Sequence, residues 1–272
     1  MNYRHAFHAG NFADCVKHAV LVWLLRAMGR KEKGFMVLDT HAGIGQYDLN
    51  SGPAARTGEW HGGIGRLMGR GDPALADYLG LVEQVGLYPG SPALVRAVLR
   101  EQDRMVCCEL HPEDAGVLRR LFRGDGQVAV HQRDAWEAVG AFLPPAERRG
   151  LVLIDPPYEA VDEFARVEEG LKLAHRRFGQ GVLAAWYPVK ARAQVRGLHD
   201  AMRASGVRDV VAVEVYVREP LDAARLNGCG LVVVNPPFGF ERAMRIVLAA
   251  LLAGLGTGEM GAGFNVVRLS DE

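Results

Sequence analysis

Residues Leu151 to Tyr158 read LVLIDPPY, four apolar residues followed by an acid, two prolines and an aromatic ring. A short apolar run bounded by a turn is typical of a strand that is buried on both faces. Each proline fixes its own φ and has no N–H to donate, which leaves the carbonyls of the turn free to accept hydrogen bonds. The stretch therefore predicts a buried strand that ends in a rigid acceptor site made by Asp155, the Pro156 carbonyl and the Tyr158 ring.

Three other apolar runs lead to an acid in the same way. FMVLD ends in Asp39 and is followed by the loop THAGIG, in which Gly43 allows a sharp turn and a close approach of a ligand to the backbone. MVCCE ends in Glu109, and an acid at such a strand end accepts hydrogen bonds from ribose hydroxyls in nucleoside-binding α/β folds. VAV leads through three polar residues to Asp134, which we expect to contact an adenine amine.

Strands and helices alternate along the chain, which is the pattern of a doubly wound α/β sheet. We predict a helix that has Asn11 as its N-cap, ends at Gly29 and carries His18.

The stretch between Gly45 and Met105 is too long for a single connection. A crossover between parallel strands needs only about a dozen residues, and this stretch has roughly sixty. We therefore predict a single domain over residues 1–272 with a helical insertion over 46–100, near whose end Ser91 is the N-cap of a helix.

The chain also resembles one protein family in four places. They are the opening YRHAFHAGN at Tyr3–Asn11, the loop DTHAGIG, the run YPGSP at Tyr88–Pro92 and the segment NPP at Asn235–Pro237. In these motifs the sequence resembles the ribosomal large subunit methyltransferase J family, which methylates the N6 of one adenine in 23S rRNA. The resemblance runs along essentially the whole chain, and the opening is its most specific part.

The resemblance implies a class I S-adenosylmethionine-dependent methyltransferase fold and a set of site residues. Together with the strand ends, it predicts a cofactor pocket made by His18, His41, Gly43, Ser91, Glu109, Asp134, Ala135 and Asp155. Ala135 stands where a glycine would suit the family pattern, and we expect only its backbone contact to differ. The predicted catalytic residues are Asp155, Pro156 and Tyr158, and the predicted substrate-binding residues are Tyr3 and Tyr158.

The implied reaction transfers a methyl group from S-adenosylmethionine to the adenine amine without a metal. The target base must be unpaired or leave its stack, because the amine cannot be reached within a helix. We expect Asp155 to accept one N–H of the amine and either take its proton or only orient it, the Pro156 carbonyl to accept the second N–H, and Tyr158 to stack on the base. The expected partner is 23S rRNA, naked or early in assembly, and the expected enzyme is a monomer.

Composition limits how such a protein works. The net charge is 0 at pH 7, so contacts with RNA must be local. No apolar run reaches the roughly 18 residues of a membrane span, and the N-terminus lacks the apolar core of a signal peptide, so we expect a cytoplasmic protein. The four cysteines form no CxxC pair and are expected in the core. The candidate RNA contacts are Arg56, Arg66, Arg70, Arg119, Arg120, Arg123, Arg148, Arg149, Arg176 and Arg177.

Several alternatives remain open. The run LVVVNPPF is similar to the first tetrad, but we expect its strand to be antiparallel, which would place Asn235 away from the cofactor edge. A metallohydrolase is the competing enzyme class, with a metal bound by His5, His8, His18 and His41. The HxxH in the opening lacks helical i, i+4 spacing and an adjacent glutamate base. Other possible activities are DNA adenine or protein glutamine methylation, and an inactive RNA-binding protein is the non-enzymatic alternative.

Overall fold

The computed structural model describes residues 5–50 and 52–271. Tyr3, which we predicted to contact the substrate, lies outside these residues. Within them the chain forms ten strands: β1 (Met36–Asp39), β2 (Gln46–Tyr47), β3 (Tyr88–Pro89), β4 (Arg104–Cys108), β5 (Val128–His131), β6 (Gly150–Ile154), β7 (Val182–Val189), β8 (Val210–Tyr216), β9 (Gly228–Val234) and β10 (Gly263–Ser270). The α-helices of the same residues are α1 (Phe12–Gly29), α2 (Gly52–Thr57), α3 (Ile64–Leu67), α4 (Ala76–Val85), α5 (Ser91–Val98), α6 (Pro112–Leu121), α7 (Ala135–Phe142), α8 (Glu163–Arg177), α9 (Arg192–Ala204) and α10 (Phe240–Leu255).

Eight strands form one sheet in the order β5-β4-β1-β6-β7-β9-β8-β10. The strands from β5 to β7 are parallel, β9 is antiparallel to both of its neighbours, and β10 is antiparallel to β8. Apolar side chains of α1, α5, α6 and α10 form the core on one face of the sheet, and those of α7, α8 and α9 form it on the other. The predicted doubly wound α/β fold is confirmed.

The chain order reverses at β1, and this reversal determines where a ligand can bind. β4 and β5 lie on one side of β1, whereas β6 and β7 lie on the other. Asp39 pairs with both Cys107 and Leu153, so the three central strands end at nearly the same level. Because ligands of open α/β sheets bind outside the carboxyl ends of the strands at such a reversal, the predicted site residues meet at this edge.

Helix α1 begins and ends where the sequence predicts. The Asn11 side chain accepts a hydrogen bond from the Asp14 N–H at 3.0 Å and thereby caps the helix, which ends at Gly29. Since α1 packs against α4, α5, α10 and β9, it is buried on most of its surface, including the polar residues Asp14, Lys17 and His18. No helix in the described part of the chain is long and apolar enough to cross a membrane.

The predicted insertion contains β2, β3 and the helices α2 to α5. β2 pairs with β3 next to the glycine loop, and α5 packs on β1 and β4 as a crossover helix does. The prediction that Ser91 is an N-cap is wrong. The Gly90 N–H bonds to the Gly45 carbonyl and holds Gly90 extended, so the helix begins one residue earlier, with Gly90 as its N-cap. The boundaries 46–100 and the single domain over 1–272 stay predictions.

The second tetrad-like run lies at the opposite end of the sheet from the glycine loop, because β9 is antiparallel. Asn235 follows β9, and its side-chain amide donates to the carbonyls of Gly179 and Gly181 at 2.9 and 2.8 Å. The prediction that Asn235 lies away from the cofactor edge is confirmed.

A glycine on β9 lets a buried tyrosine reach across that strand. Gly230 pairs with Tyr187 on β7 and with Glu214 on β8. The Tyr187 hydroxyl donates to the Glu214 carboxylate at 2.9 Å and lies 3.1 Å from His199 Nε2. A Cβ at residue 230 would lie 2.6 Å from the Tyr187 hydroxyl and 2.8 Å from the Val213 carbonyl oxygen. The hydrogen bonds around Glu214 therefore require a residue without a side chain at this place.

We predict that Gly230→Ala lowers the free energy of unfolding by about 2–4 kcal/mol, because the methyl group displaces Tyr187 and removes a donor from a buried carboxylate. Urea unfolding measures the change. Gly80→Ala is the matched control, since nothing lies within 4 Å of a Cβ there, and we expect this helical substitution to stabilise by about 0.5–1 kcal/mol. Equal stabilities of the two variants would contradict the steric argument.

Candidate active site

A cavity of about 590 Å³ opens at the carboxyl ends of the parallel strands. Every predicted site residue that the structure describes lines it, namely His18, His41, Gly43, Ser91, Glu109, Asp134, Ala135, Asp155, Pro156 and Tyr158. The fold thus brings together residues from six separate segments of the chain. Their individual roles stay predictions.

Glu109 ties the glycine loop to the end of β4. One carboxylate oxygen accepts from the Gly43 N–H at 2.9 Å, and the other accepts from the His111 N–H at 2.7 Å. Burial raises the pKa of Glu109, and these two N–H groups counteract part of the rise. Each oxygen keeps a second lone pair for a ligand hydroxyl. Gly43 has φ +61°, and a Cβ there would lie 2.5 Å from the Tyr47 hydroxyl, so both conformation and space require glycine.

Asp134 has a structural role that we did not predict, because it is the N-cap of α7. Its Oδ1 accepts from the N–H groups of Trp136 and Glu137 at 2.9 and 3.2 Å, which leaves Oδ2 for a ligand. Ala135 begins the helix, and the Trp136 ring stands edge-on to His41 at 5.9 Å. This side of the cavity therefore presents an acid beside a flat aromatic ring, which suits a purine.

Both predicted histidines are neutral. Burial lowers the pKa of His18 to about 3 and that of His41 to about 4. His18 Nδ1 lies 3.0 Å from the Tyr88 hydroxyl, whereas its Nε2 is buried without a hydrogen-bond partner among the described residues. His41 Nδ1 lies 2.8 Å from the Thr40 hydroxyl and 3.3 Å from the Asp155 N–H. A buried polar atom without a partner indicates a group that a ligand can satisfy.

A network of buried charges, which our sequence analysis missed, connects Asp155 to the N-terminal segment. Lys17 Nζ lies 2.6 Å from Asp155 Oδ2 and 2.9 Å from Asp14 Oδ1. Asp14 Oδ2 accepts from the Gly10 N–H at 3.0 Å and lies 2.9 Å from His5 Nε2. Burial lowers the pKa of Lys17, but the charges of Asp14 and Asp155 outweigh burial and raise it well above its usual range. Lys17 is therefore a permanent positive charge beside the predicted catalytic acid.

The sequence contains a partial signal for this network. Asp14 and Lys17 are three positions apart on a mostly apolar helix, a spacing that places both on one face. Burial also raises the pKa of Asp14, but the charges of His5 and Lys17 outweigh it and hold that pKa well below its usual range. The spacing could have indicated a buried ion pair, although not its contact with Asp155.

Asp39 is fully buried next to this network. Its Oδ1 accepts from the His41 N–H at 3.3 Å, and its Oδ2 has no hydrogen-bond partner among the described residues. Burial raises the pKa of Asp39 to about 6, against a lowering by the Ser91 hydroxyl, and the Asp155 charge adds to the rise. The ionised form of Asp39 therefore destabilises the folded protein.

Tyr158 forms part of the cavity wall. Its ring packs against the rings of Phe164 and Trp186, with centroids 4.9 and 5.7 Å apart, and its hydroxyl donates to the Trp186 carbonyl at 2.8 Å. Its φ is +54°, a value that is uncommon for a residue other than glycine and that recurs at functional sites. Stacking of this ring on a base stays a prediction.

The histidines considered for a metal site each contact a different residue: Asp14 for His5, Glu59 for His8, Tyr88 for His18 and Thr40 for His41. Across residues 5–50 and 52–271, no group of three or more histidines, cysteines or acids is arranged to hold a metal ion.

The arginines that we predicted as RNA contacts are absent from the described lining of the cavity. Three of them, Arg66, Arg149 and Arg177, donate to backbone carbonyls and have structural roles. Three cations that we did not predict line the cavity instead, namely Lys17, Arg166 and Lys190.

The strand order, the glycine loop, the acids at the strand ends and the DPPY turn together define a class I S-adenosylmethionine-dependent methyltransferase. The family model described as Ribosomal RNA large subunit methyltransferase D, RlmJ, matches residues 32–265. The chain belongs to this family, as its motifs predict.

Relatives of known name cover nearly the whole chain. Ribosomal RNA large subunit methyltransferase J of Haemophilus influenzae is 41% identical over 270 residues, which cover 95% of this chain and 96% of the relative. The protein of the same name in Escherichia coli is 41% identical over 269 residues with the same coverage. The crystal structure of protein LPL1258 from Legionella pneumophila has a TM-score of 0.87 and 34% identity, and the match covers 96% of this chain and 98% of that one.

We predict that Asp39→Asn stabilises the protein at neutral pH. The pKa of Asp39 is about 6 in the folded protein and 3.8 for an ordinary aspartate, so the folded state binds the proton more tightly and loses stability as the pH rises through this range. The shift corresponds to about 3 kcal/mol of stability that is lost when Asp39 ionises. The variant avoids this loss because its amide carries no charge. The difference in the free energy of unfolding between the variant and the wild type, measured in urea, should increase by about this amount from pH 4 to pH 8. A difference independent of pH would contradict the prediction.

Proposed function

We propose that the protein transfers a methyl group from S-adenosylmethionine to the exocyclic N6 amine of one adenine in 23S rRNA. The observation that carries this proposal is that Asp155, Pro156 and Tyr158 share one cavity with the glycine loop, Glu109 and Asp134. The curated relatives in Haemophilus influenzae and Escherichia coli, both named ribosomal RNA large subunit methyltransferase J, support it.

The residues on one side of the cavity fit this cofactor. The free lone pairs of Glu109 suit ribose hydroxyls, Asp134 and Trp136 suit an adenine ring, and the unpaired Nε2 of His18 suits a further polar group. When bound, S-adenosylmethionine would supply an electrophilic methyl group on a sulfonium, and the neutral thioether S-adenosylhomocysteine would leave as the product. The other residues proposed to hold it are His41, Gly43, Ser91, Ala135 and Asp155, and the proposal includes no metal.

The acceptor turn is proposed to orient the adenine amine. Asp155 Oδ2 is paired with Lys17, so Oδ1, which has no hydrogen-bond partner in the described chain, is free to accept one N–H. The Pro156 carbonyl accepts the second N–H, and Tyr158 lies against the base. The nitrogen carries an extra proton after it gains the methyl group, and the Asp155 carboxylate is the nearest group to receive it.

The substrate is proposed to be naked or early-assembly 23S rRNA, because the base must leave its stack to reach a carboxylate inside a cavity. A single chain supplies both the acceptor and the cofactor side, which supports a monomeric enzyme. Tyr3 is proposed as a substrate contact on the basis of the opening motif. We also propose that the protein works in the cytoplasm, where such RNA is present.

The test of substrate class uses labelled S-adenosylmethionine with naked 23S rRNA, assembled large subunits, DNA and glutamine-containing protein as separate acceptors. We expect the label in naked rRNA, as one N6-methyladenosine located by nuclease digestion and mass spectrometry. Label in DNA or in glutamine would establish one of the alternative enzymes. Binding of RNA without transfer to any acceptor would indicate an inactive fold.

We predict that Asp155→Ala lowers methyl transfer at least about a hundredfold, because the acceptor for the amine is lost. The variant should be less stable, since Lys17 keeps only Asp14 as a partner, but it should stay folded and bind cofactor through the other residues proposed to hold it. Asn235→Ala is the matched control in the other tetrad. It should lose about 1–2 kcal/mol of stability with its two hydrogen bonds and keep turnover within about twofold. Single-turnover kinetics and calorimetry with the cofactor measure both variants. An active Asp155 variant together with an inactive Asn235 variant would reject the assignment of the acceptor turn.

A further inference from the structure

Strand β7 runs along the cavity from its interior to its mouth. Trp186, Pro188 and Lys190 line the cavity, whereas Tyr187 and Val189 between them are buried in the core on the other face. This alternation follows from the two-residue period of a strand, and Lys190 continues it one position beyond the end of β7. The strand therefore presents an aromatic ring, a proline ring and an ammonium group in a row.

The register of the sheet relates this row to the acceptor turn. Ile154 pairs with Ala185 in the parallel pairing of β6 with β7, so Asp155 lies level with Trp186. Lys190 is four residues further along, which is about 13 Å at the rise of a strand. This length is comparable to that of one nucleotide from the amine of its base to its phosphate.

The charge of the cavity makes Lys190 significant. Its described lining contains eight acids and only three lysine or arginine side chains. Lys17 is held between Asp14 and Asp155, and Arg166 lies 3.9 Å from both Asp162 and Glu163. Lys190 is exposed and has no ion-pair partner in the described chain. An anionic substrate would be repelled by this cavity unless an uncommitted cation met it at the mouth.

The backbone of Lys190 is fixed although its side chain is free. The fully buried Asn227 donates from its side-chain amide to the Lys190 carbonyl at 2.9 Å and to the Asp222 carbonyl at 2.7 Å. The Asn227 N–H also bonds to the Val189 carbonyl at 2.9 Å. The backbone of Lys190 is therefore held at a set distance from Asp155, and the flexible side chain carries the ammonium group from this fixed point.

We propose that Lys190 binds the phosphate of the nucleotide whose base enters the cavity. The proposal rests on the proposed function and makes it more specific. The amine is held at Asp155, the sugar lies along Trp186 and Pro188, and the phosphate lies at Lys190. The site thereby selects a nucleotide within a polynucleotide over a free nucleoside or a glutamine side chain.

The first test compares Lys190→Gln and Lys190→Arg with Arg192→Gln. Arg192 is the matched control, because it is an exposed cation two residues away that pairs with Glu219 at 3.8 Å and is absent from the described cavity lining. Lys190→Gln should raise KM for RNA about tenfold with kcat within about twofold, since a charged contact made equally before and during reaction is lost. Its slope of log affinity against log salt should become shallower by about one. Lys190→Arg should keep KM and the salt slope near their wild-type values, because the positive charge is retained. Arg192→Gln should change KM by less than about twofold.

The second test neutralises the phosphate instead of the lysine. Two RNA oligonucleotides carry a single methylphosphonate, one on the 5′ side and one on the 3′ side of the target adenosine. With the wild-type protein, one of them should raise KM about tenfold, and with Lys190→Gln the same oligonucleotide should have no further effect. Equal kinetics of Lys190→Gln and wild type on unmodified RNA would overturn the phosphate contact and leave the proposed function intact. Failure of the wild type to methylate any RNA would reject both the phosphate contact and the proposed function.

Discussion

Two ion pairs of one buried lysine connect the parts of the active site. Taking an ammonium group out of water costs several kcal/mol, and this cost is offset only because Lys17 contacts two carboxylates. Asp14 belongs to α1 and Asp155 to the turn after β6, so the lysine holds the helix against the acceptor turn. Asp14 also binds Gly10 and His5, which fixes the N-terminal segment through the same charge. The positions of the helix, the segment and the acceptor carboxylate are therefore mutually dependent.

Residues between β1 and β4 also hold the N-terminal segment in place through hydrogen bonds. The Thr57 hydroxyl donates to the Phe7 carbonyl at 2.6 Å, and the Ile64 N–H donates to the Gly10 carbonyl at 2.8 Å. Glu59 accepts hydrogen bonds from polar side chains of the same N-terminal segment. These residues thus hold the described part of the opening motif, residues 5–11, beside the cavity.

The two faces of β7 carry side chains with different roles. The cavity face leads to Lys190, whose proposed phosphate contact needs an uncommitted charge, whereas Tyr187 on the other face bonds to a buried carboxylate. Burial raises the pKa of Glu214, but hydrogen bonds from His199 and other donors outweigh burial and lower that pKa to about 2. This carboxylate is fully compensated and anchors the strand from behind, so that the residues on the cavity face are held in place.

The sequence by itself determined the fold class, the course of α1, and the presence of Glu109, Asp134 and Asp155 in one site. It could do so because apolar runs define strands and parallel strands bring their carboxyl ends to one edge. It did not determine the N-cap of α5, the contact of Lys17 with Asp155, or the place of Lys190 at the cavity mouth. These depend on which face of a nearly buried helix meets which strand end, and on the register between β6 and β7. Only the tertiary structure decided them, because burial and charge compensation arise when distant segments pack together.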